Sequence, residues 1–280
     1  MATINEAIRD VQRQFAESGI DTARLDAELL VGHALGMSRT QLLANLRDPI
    51  SDDLAPAVHI LAARRLAGEP VAYILGRKEF LGHDFIVTPA VLSPRPETEL
   101  LVEWAVRWLL NRPEATVVDI GTGSGAIAIG VALNTPPTVS ITAIDVSDDA
   151  LGVARANADR LCPGRIAFQT GNLLSGVQRR FDLVLANLPY LRPDQITGNR
   201  DLSAEPRLAL DGGRLGLDLI ERLVEELPRH LAVGGGVALE IDPSQGHVVA
   251  QRLAAALPGA TVTIENDLAG LDRFVTAVRG

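Results

Sequence analysis

Asn187-Leu188-Pro189-Tyr190 follows the run Phe181-Asp182-Leu183-Val184-Leu185-Ala186. A β-branched and aliphatic run of this kind reads as a buried strand. An asparagine at its end puts an amide side chain and a backbone carbonyl at the strand's carboxyl edge, where ligands sit in open α/β sheets. The Asn187 side-chain oxygen and the Leu188 carbonyl can each accept one N–H of a planar NH2 group. That grip suits group transfer to an amide or exocyclic amine nitrogen, whose lone pair is delocalised and must be aimed. Pro189 limits backbone motion, and Tyr190 is expected to offer an aromatic wall.

A second motif lies upstream. Val117-Val118-Asp119-Ile120 runs directly into Gly121-Thr122-Gly123-Ser124-Gly125-Ala126, and a helix follows. Glycines let the backbone turn tightly and approach a ligand without a Cβ clash. Asp145 ends the next strand, where an acid can bridge two ribose hydroxyls. Asn172-Leu173 follows the third strand at the same edge, placed for Asn172 to bond an adenine and Leu173 to cover it. The Gly loop and Asp145 alone also fit a dinucleotide fold. Hydride transfer has no use for Asn187-Leu188-Pro189-Tyr190, whereas methyl transfer to nitrogen does.

These motifs need a sheet to carry them, and the pattern from Thr116 supplies one. Strands are expected at Thr116–Ile120, Ser140–Asp145, Ile166–Thr170, Phe181–Ala186 and Gly236–Ile241. Helices are expected near 125–134, 148–161, 215–231 and 244–256, and a terminal hairpin from Thr261–Glu265 and Arg273–Arg279. Alternation of this kind implies a largely parallel sheet with helices on both faces. Residues 1–75 read instead as a helical bundle, with Thr22, Ser38 and Ser51 as N-caps. Residues 76–92 read as a hairpin linker, with Phe80-Leu81 and Phe85-Ile86-Val87 flanking Gly82-His83-Asp84. The second domain then runs over 93–280, opening on a helix that starts at Ser93-Pro94-Arg95-Pro96-Glu97-Thr98-Glu99.

Composition bounds the function. With 47% hydrophobic and 22% charged residues, the 280-residue chain can bury a sizeable core. A net charge of −9 argues against broad electrostatic attraction to nucleic acid. Lys78 is the only lysine among 26 basic residues, which reads as codon bias. Arg192, Arg200, Arg207 and Arg214, after Tyr190, read as a solvated loop. Cys162 stands alone and the five histidines lack ligand spacing, so no metal site is expected. No signal peptide or membrane-spanning run is seen, and a soluble cytoplasmic protein is expected.

Taken together, the chain resembles the bacterial release-factor glutamine N5-methyltransferase family. The likeness covers the helical N-terminal region, Ser93–Glu99, Asp119–Gly125, Asn187–Tyr190, Glu205-Pro206 with Ala209-Leu210, and Asp267–Gly270 with Asp272-Arg273. It implies a Rossmann-like class I methyltransferase sheet behind a small N-terminal helical domain that recognises substrate. It further implies S-adenosyl-L-methionine as cofactor and class 1 peptide-chain release factors as protein substrates, methylated on the glutamine of a Gly-Gly-Gln motif. By that resemblance Gly121, Thr122, Gly123, Ser124, Gly125, Asp145, Asn172, Leu173 and Asn187 hold the cofactor. Asn187, Leu188, Pro189 and Tyr190 hold and orient the substrate amide. The chain departs from the family at Leu188, where a first Pro is usual, and at Asn172, where Asp is common. The alternatives are a ribosomal-protein glutamine or an RNA adenine as acceptor, or a non-catalytic cofactor-binding module. Nothing in the sequence fixes the oligomeric state.

Overall fold

A computed structural model describes residues 2–197, 199 and 202–280. The chain divides into two compact units, Met1–Gly76 and Arg77–Gly280. The first holds α1 (Ile4–Glu17), α2 (Ala23–Ala34), α3 (Arg39–Ala44), α4 (Ala55–Leu66) and α5 (Val71–Leu75). Capping boxes at Thr3/Glu6 and Ser38/Gln41 start α1 and α3 by satisfying backbone donors that a helix start leaves unpaired. Ile4, Ile8, Val11 and Phe15 form the buried stripe of α1 and meet Leu30, Val31, Leu42 and Ile74 in a core of their own. Within that unit Arg65 bonds Asp26 at 2.8 Å, both buried.

Two of the expected caps are corrected. Thr22 precedes α2 but its side chain makes no capping bond, because its backbone is not extended (φ −89°, ψ 19°). Ser51 lies in a turn and bonds Asp53, and α4 begins after Leu54.

The second unit opens with an antiparallel hairpin, β1 (Arg77–Phe80) and β2 (His83–Ile86). It belongs to this unit rather than acting as a linker. Phe80 and Phe85 pack edge to face in the unit's core, and Asn157 Oδ1 accepts from the Ile86 N–H at 2.7 Å. Then follow α6 (Pro96–Leu109), β3 (Thr116–Ile120), α7 (Ala126–Leu133), β4 (Ser140–Asp145), α8 (Asp148–Leu161), β5 (Ile166–Thr170), β6 (Phe181–Ala186), α9 (Pro193–Thr197), α10 (Asp218–His230), β7 (Leu231–Glu240), α11 (Gly246–Ala256), β8 (Thr261–Asn266) and β9 (Asp272–Val278). The β7 strand starts earlier than expected because Leu231 pairs with Phe181 before an irregularity in the register.

The strand order is β5-β4-β3-β6-β7-β9-β8. Five strands are parallel, and β9 and β8 close one edge antiparallel. Alternate residues feed two cores: Val117, Leu183 and Leu185 face one, and Val118, Val184 and Ala186 the other. Chain order runs outward from β3 through β4 to β5 on one side and from β6 to β7 on the other. This reversal is a switch point, and it sets Ile120 beside Ala186. The segments that leave those two residues are the Gly loop and Asn187. No helix among the described residues is long and apolar enough to cross a membrane.

Candidate active site

A cavity of about 480 Å³ opens at this switch point, within the range that holds one small ligand. The Gly121–Ser124 loop, Asp145, Asn172, Leu173 and the Asn187-Leu188-Pro189 segment all line it.

The Gly loop is held from beneath. The N–H groups of Gly121 and Thr122 both donate to the Ile144 carbonyl, at 2.8 and 3.0 Å. Asp119 is fully buried; its Oδ2 accepts from Thr122 Oγ1 at 2.6 Å and from the Ala128 N–H at 3.2 Å. One carboxylate thereby ties strand, loop and helix together. Burial pushes Asp119 up to about 7, against the pull of those two bonds. Gly121 sits at φ +70°, and a Cβ there would meet Leu188 Cδ2 at 3.0 Å. Glycine is needed for the left-handed turn and for the close approach of the two motifs. A Cβ on Gly123 would meet no protein atom within 4 Å.

Asp145 is half-buried at the end of β4. Its Oδ2 accepts from the Gly123 N–H and its Oδ1 from the Ser147 N–H, each at 2.9 Å. Each oxygen keeps a further lone pair. Leu173 adopts φ +55°, an uncommon conformation for a leucine, with its side chain buried. Asn172 Oδ1 accepts from Arg222 Nη2 of α10 at 3.2 Å. A neutral amide here bonds the guanidinium without forming an ion pair.

Asn187 Nδ2 donates to Thr98 Oγ1 at 3.1 Å, which leaves the amide oxygen for a ligand. The Leu188 side chain is buried, and its carbonyl takes no donor from the described residues. Tyr190 departs from expectation, because it does not line the cavity. Its hydroxyl donates to Glu240 Oε1 at 3.3 Å, since a buried acid needs a donor. Burial and the nearby Glu240 raise its pKa well above the ordinary value. The segment beyond is fixed by close packing: a Cβ on Gly216 would lie 2.1 Å from the Tyr190 carbonyl, and Gln245 Nε2 donates to that carbonyl at 3.0 Å.

Four residues of this site, Thr98, Arg95, Glu205 and Glu240, had no assigned role in the sequence reading. Arg95 lines the cavity and bonds the buried Glu205 at 2.8 Å, joining two motifs far apart in sequence. Glu240 is 3% exposed and ends β7 after Val237-Ala238-Leu239. The signal was present, because an acid closing an apolar strand at the carboxyl edge is the pattern that marked Asp145. Of the loop arginines, Arg192 and Arg207 pair with Asp194 and Asp211 at the surface, and Arg214 is exposed. Arg200 lies outside the described residues.

The PrmC N-terminal domain model matches residues 6–76, and the methyltransferase small domain model matches 96–205. The release factor glutamine methyltransferase of Bordetella pertussis is 44% identical over 90% of this chain and 93% of its own length. That of Moorella thermoacetica is 38% identical over 99% of both. A solved methyltransferase from Pyrococcus furiosus shares the fold at 22% identity, with a TM-score of 0.53 over 77% of this chain and 95% of that one. Identity sustained along nearly the whole chain, through both units, shows that this protein belongs to the release factor glutamine methyltransferase family.

Proposed function

We propose that this chain transfers a methyl group from S-adenosylmethionine to the side-chain amide nitrogen of the glutamine in the Gly-Gly-Gln motif of class 1 peptide-chain release factors. The observation that carries this reading is Asn187, fixed by Thr98 with its oxygen unspent, beside a Gly loop at the switch point. In this reading the substrates act at the ribosome, and the enzyme is proposed to work in the cytoplasm with them.

The cavity fits the cofactor. Its volume suits one small molecule, Gly123 leaves open space for close approach, and Asp145 retains acceptor capacity. In this reading the Gly121–Gly125 loop packs against the cofactor, Asp145 accepts from its ribose hydroxyls, and Leu173 and Asn172 meet its adenine. When bound, S-adenosylmethionine supplies a methyl carbon on a positively charged sulfur that needs no acid to leave. The protein's own task is orientation. Asn187 Oδ1 and the Leu188 carbonyl each accept one N–H of the substrate amide, aiming its nitrogen lone pair. Pro189 stiffens the segment. Tyr190 supports it through Glu240 rather than walling the cavity.

Mass spectrometry of a release factor's Gly-Gly-Gln peptide, with and without the enzyme, tests the reading. The treated peptide should be one methyl group heavier on its glutamine. Methylation of RNA adenine, or of a ribosomal-protein glutamine, with none on the release factor would overturn it.

Asp145→Ala should weaken cofactor affinity strongly. The variant loses acceptors for the ribose and releases the Gly123 N–H that shapes the loop. Charge-assisted bonds contribute roughly 1.5–3 kcal/mol each. Two such losses correspond to about 10²-fold or more in Kd. Titration calorimetry measures this directly, and unchanged affinity would show that the ribose is held elsewhere.

A further inference from the structure

We infer that Glu240 is a positioning residue for methyl transfer: acting through Thr98, it fixes which way round the Asn187 amide stands. The inference rests on the reading that Asn187 grips the substrate amide.

An asparagine amide fits a site in two orientations, with its oxygen and its NH2 exchanged. Only one of them turns an acceptor toward an incoming NH2 group. Asn187 has the useful orientation because Nδ2 donates to Thr98 Oγ1. A hydroxyl is itself two-sided, with one proton to give and lone pairs to receive. Something must therefore dictate which of these Thr98 shows to Asn187.

Glu240 is placed to do so. It is the last residue of β7, and the pairing of Ala186 with Leu239 sets it level with Asn187. Its side chain lies beside Thr98, Tyr190 and Asn187. Oε1 accepts from the Tyr190 hydroxyl, while Oε2 is buried without a hydrogen-bond partner. A carboxylate only accepts. No hydrogen bond joins Thr98 to Glu240 in the structure, but Oε2 lies unspent beside it; the Thr98 proton is assigned to that oxygen, which leaves a Thr98 lone pair for Asn187 Nδ2 and Asn187 Oδ1 for the cavity. A protonated Glu240 can reverse the chain by donating to Thr98. Thr98 would then donate to Asn187 Oδ1, and Asn187 would present its own NH2 to the substrate NH2, donor against donor. Burying a carboxylate at a strand end is costly, and the three residues before it are apolar. A role in orientation accounts for an acid at this position.

The same geometry makes the device sensitive to pH. Burial pushes Glu240 up to about 7, while Thr98, Tyr190 and Asn187 favour its charged form and Glu97, on the first turn of α6, opposes it. The other charged groups that reach this cluster are Arg95, just before α6, and Arg273 on β9, which senses both Glu97 and Tyr190. Asp119 is also raised to about 7, so the informative quantity is the difference between wild type and variant.

The test is Glu240→Gln in the full-length enzyme, assayed on a release factor. We expect kcat to fall by roughly 10-fold or more, with KM and cofactor affinity little changed. The wild-type rate should rise as pH passes upward through about 7, and Glu240→Gln should lose its share of that rise. Thr98→Val should reproduce the loss of kcat, and Thr98→Ser, which keeps the hydroxyl, should restore it. A Glu240→Gln enzyme with wild-type kcat and an unaltered pH profile would overturn the inference. So would a Thr98→Val enzyme with full activity. Asn187→Ala serves as the reference: if it too is fully active, the reading of Asn187 fails; if it alone is inactive, only the role of Glu240 fails.

Discussion

Asn187→Ala should abolish methyl transfer and leave S-adenosylmethionine binding nearly intact. The truncation removes the oxygen that is proposed to receive the substrate N–H and leaves the supports of the Gly loop untouched. Those supports are the Ile144 carbonyl, Asp119 and Asp145, none of which bonds Asn187. An amide nitrogen is a poor nucleophile unless its lone pair is aimed, so the loss is one of orientation. Misplacement of a reacting group by about 1 Å can cost ~10²-fold in rate, and loss of the grip should cost at least that. Single-turnover methylation of a release factor at saturating cofactor measures it, with calorimetry as the control. Near-normal turnover would remove Asn187 from the mechanism. A parallel collapse of cofactor binding would show instead that Asn187 belongs to the cofactor's side of the cavity.

Much of the fold was legible because local and global signals agree in it. Apolar runs of strand length alternate with helical stretches, and glycine marks the one turn where β3 meets α7 at positive φ. Gly121 to Ser124, Asp145, Asn172, Leu173 and Asn187 to Pro189 all line one cavity, because each ends or follows a parallel strand and parallel strands end together, whereas Gly125 faces Ile129 and Ala154 instead. What escaped were contacts between distant segments. Thr98 lies 89 residues from Asn187, and Arg95 lies 110 from Glu205. No local periodicity encodes such pairs. Tyr190 was misplaced for the same reason, since its hydroxyl follows a buried acid 50 residues away. The Thr22 cap failed because capping needs an extended backbone as well as a suitable side chain, and residue type reports only the second; the Ser51 cap failed because α4 begins further along, after Leu54.

Removal of residues 1–76 should separate cofactor binding from recognition of a protein substrate. The helical unit has its own hydrophobic core, and every residue lining the cavity belongs to Arg77–Gly280. The remaining unit should therefore still bind S-adenosylmethionine. Methylation of a full-length release factor is a different demand. A cavity of about 480 Å³ holds one cofactor and the tip of one side chain. A stable contact with a folded protein covers about 800 Å² on each partner. That surface has to come from outside the cavity, and the family-specific helical unit is the proposed source. The truncated enzyme should lose at least ~10-fold in kcat/KM on the whole release factor. On a short Gly-Gly-Gln peptide, which needs only the cavity, it should change little. Circular dichroism and cofactor calorimetry report whether the shortened chain is folded. If a folded, cofactor-binding truncation methylates the whole release factor at the full rate, the first unit is not the recognition element, and the contact surface lies on the methyltransferase unit itself.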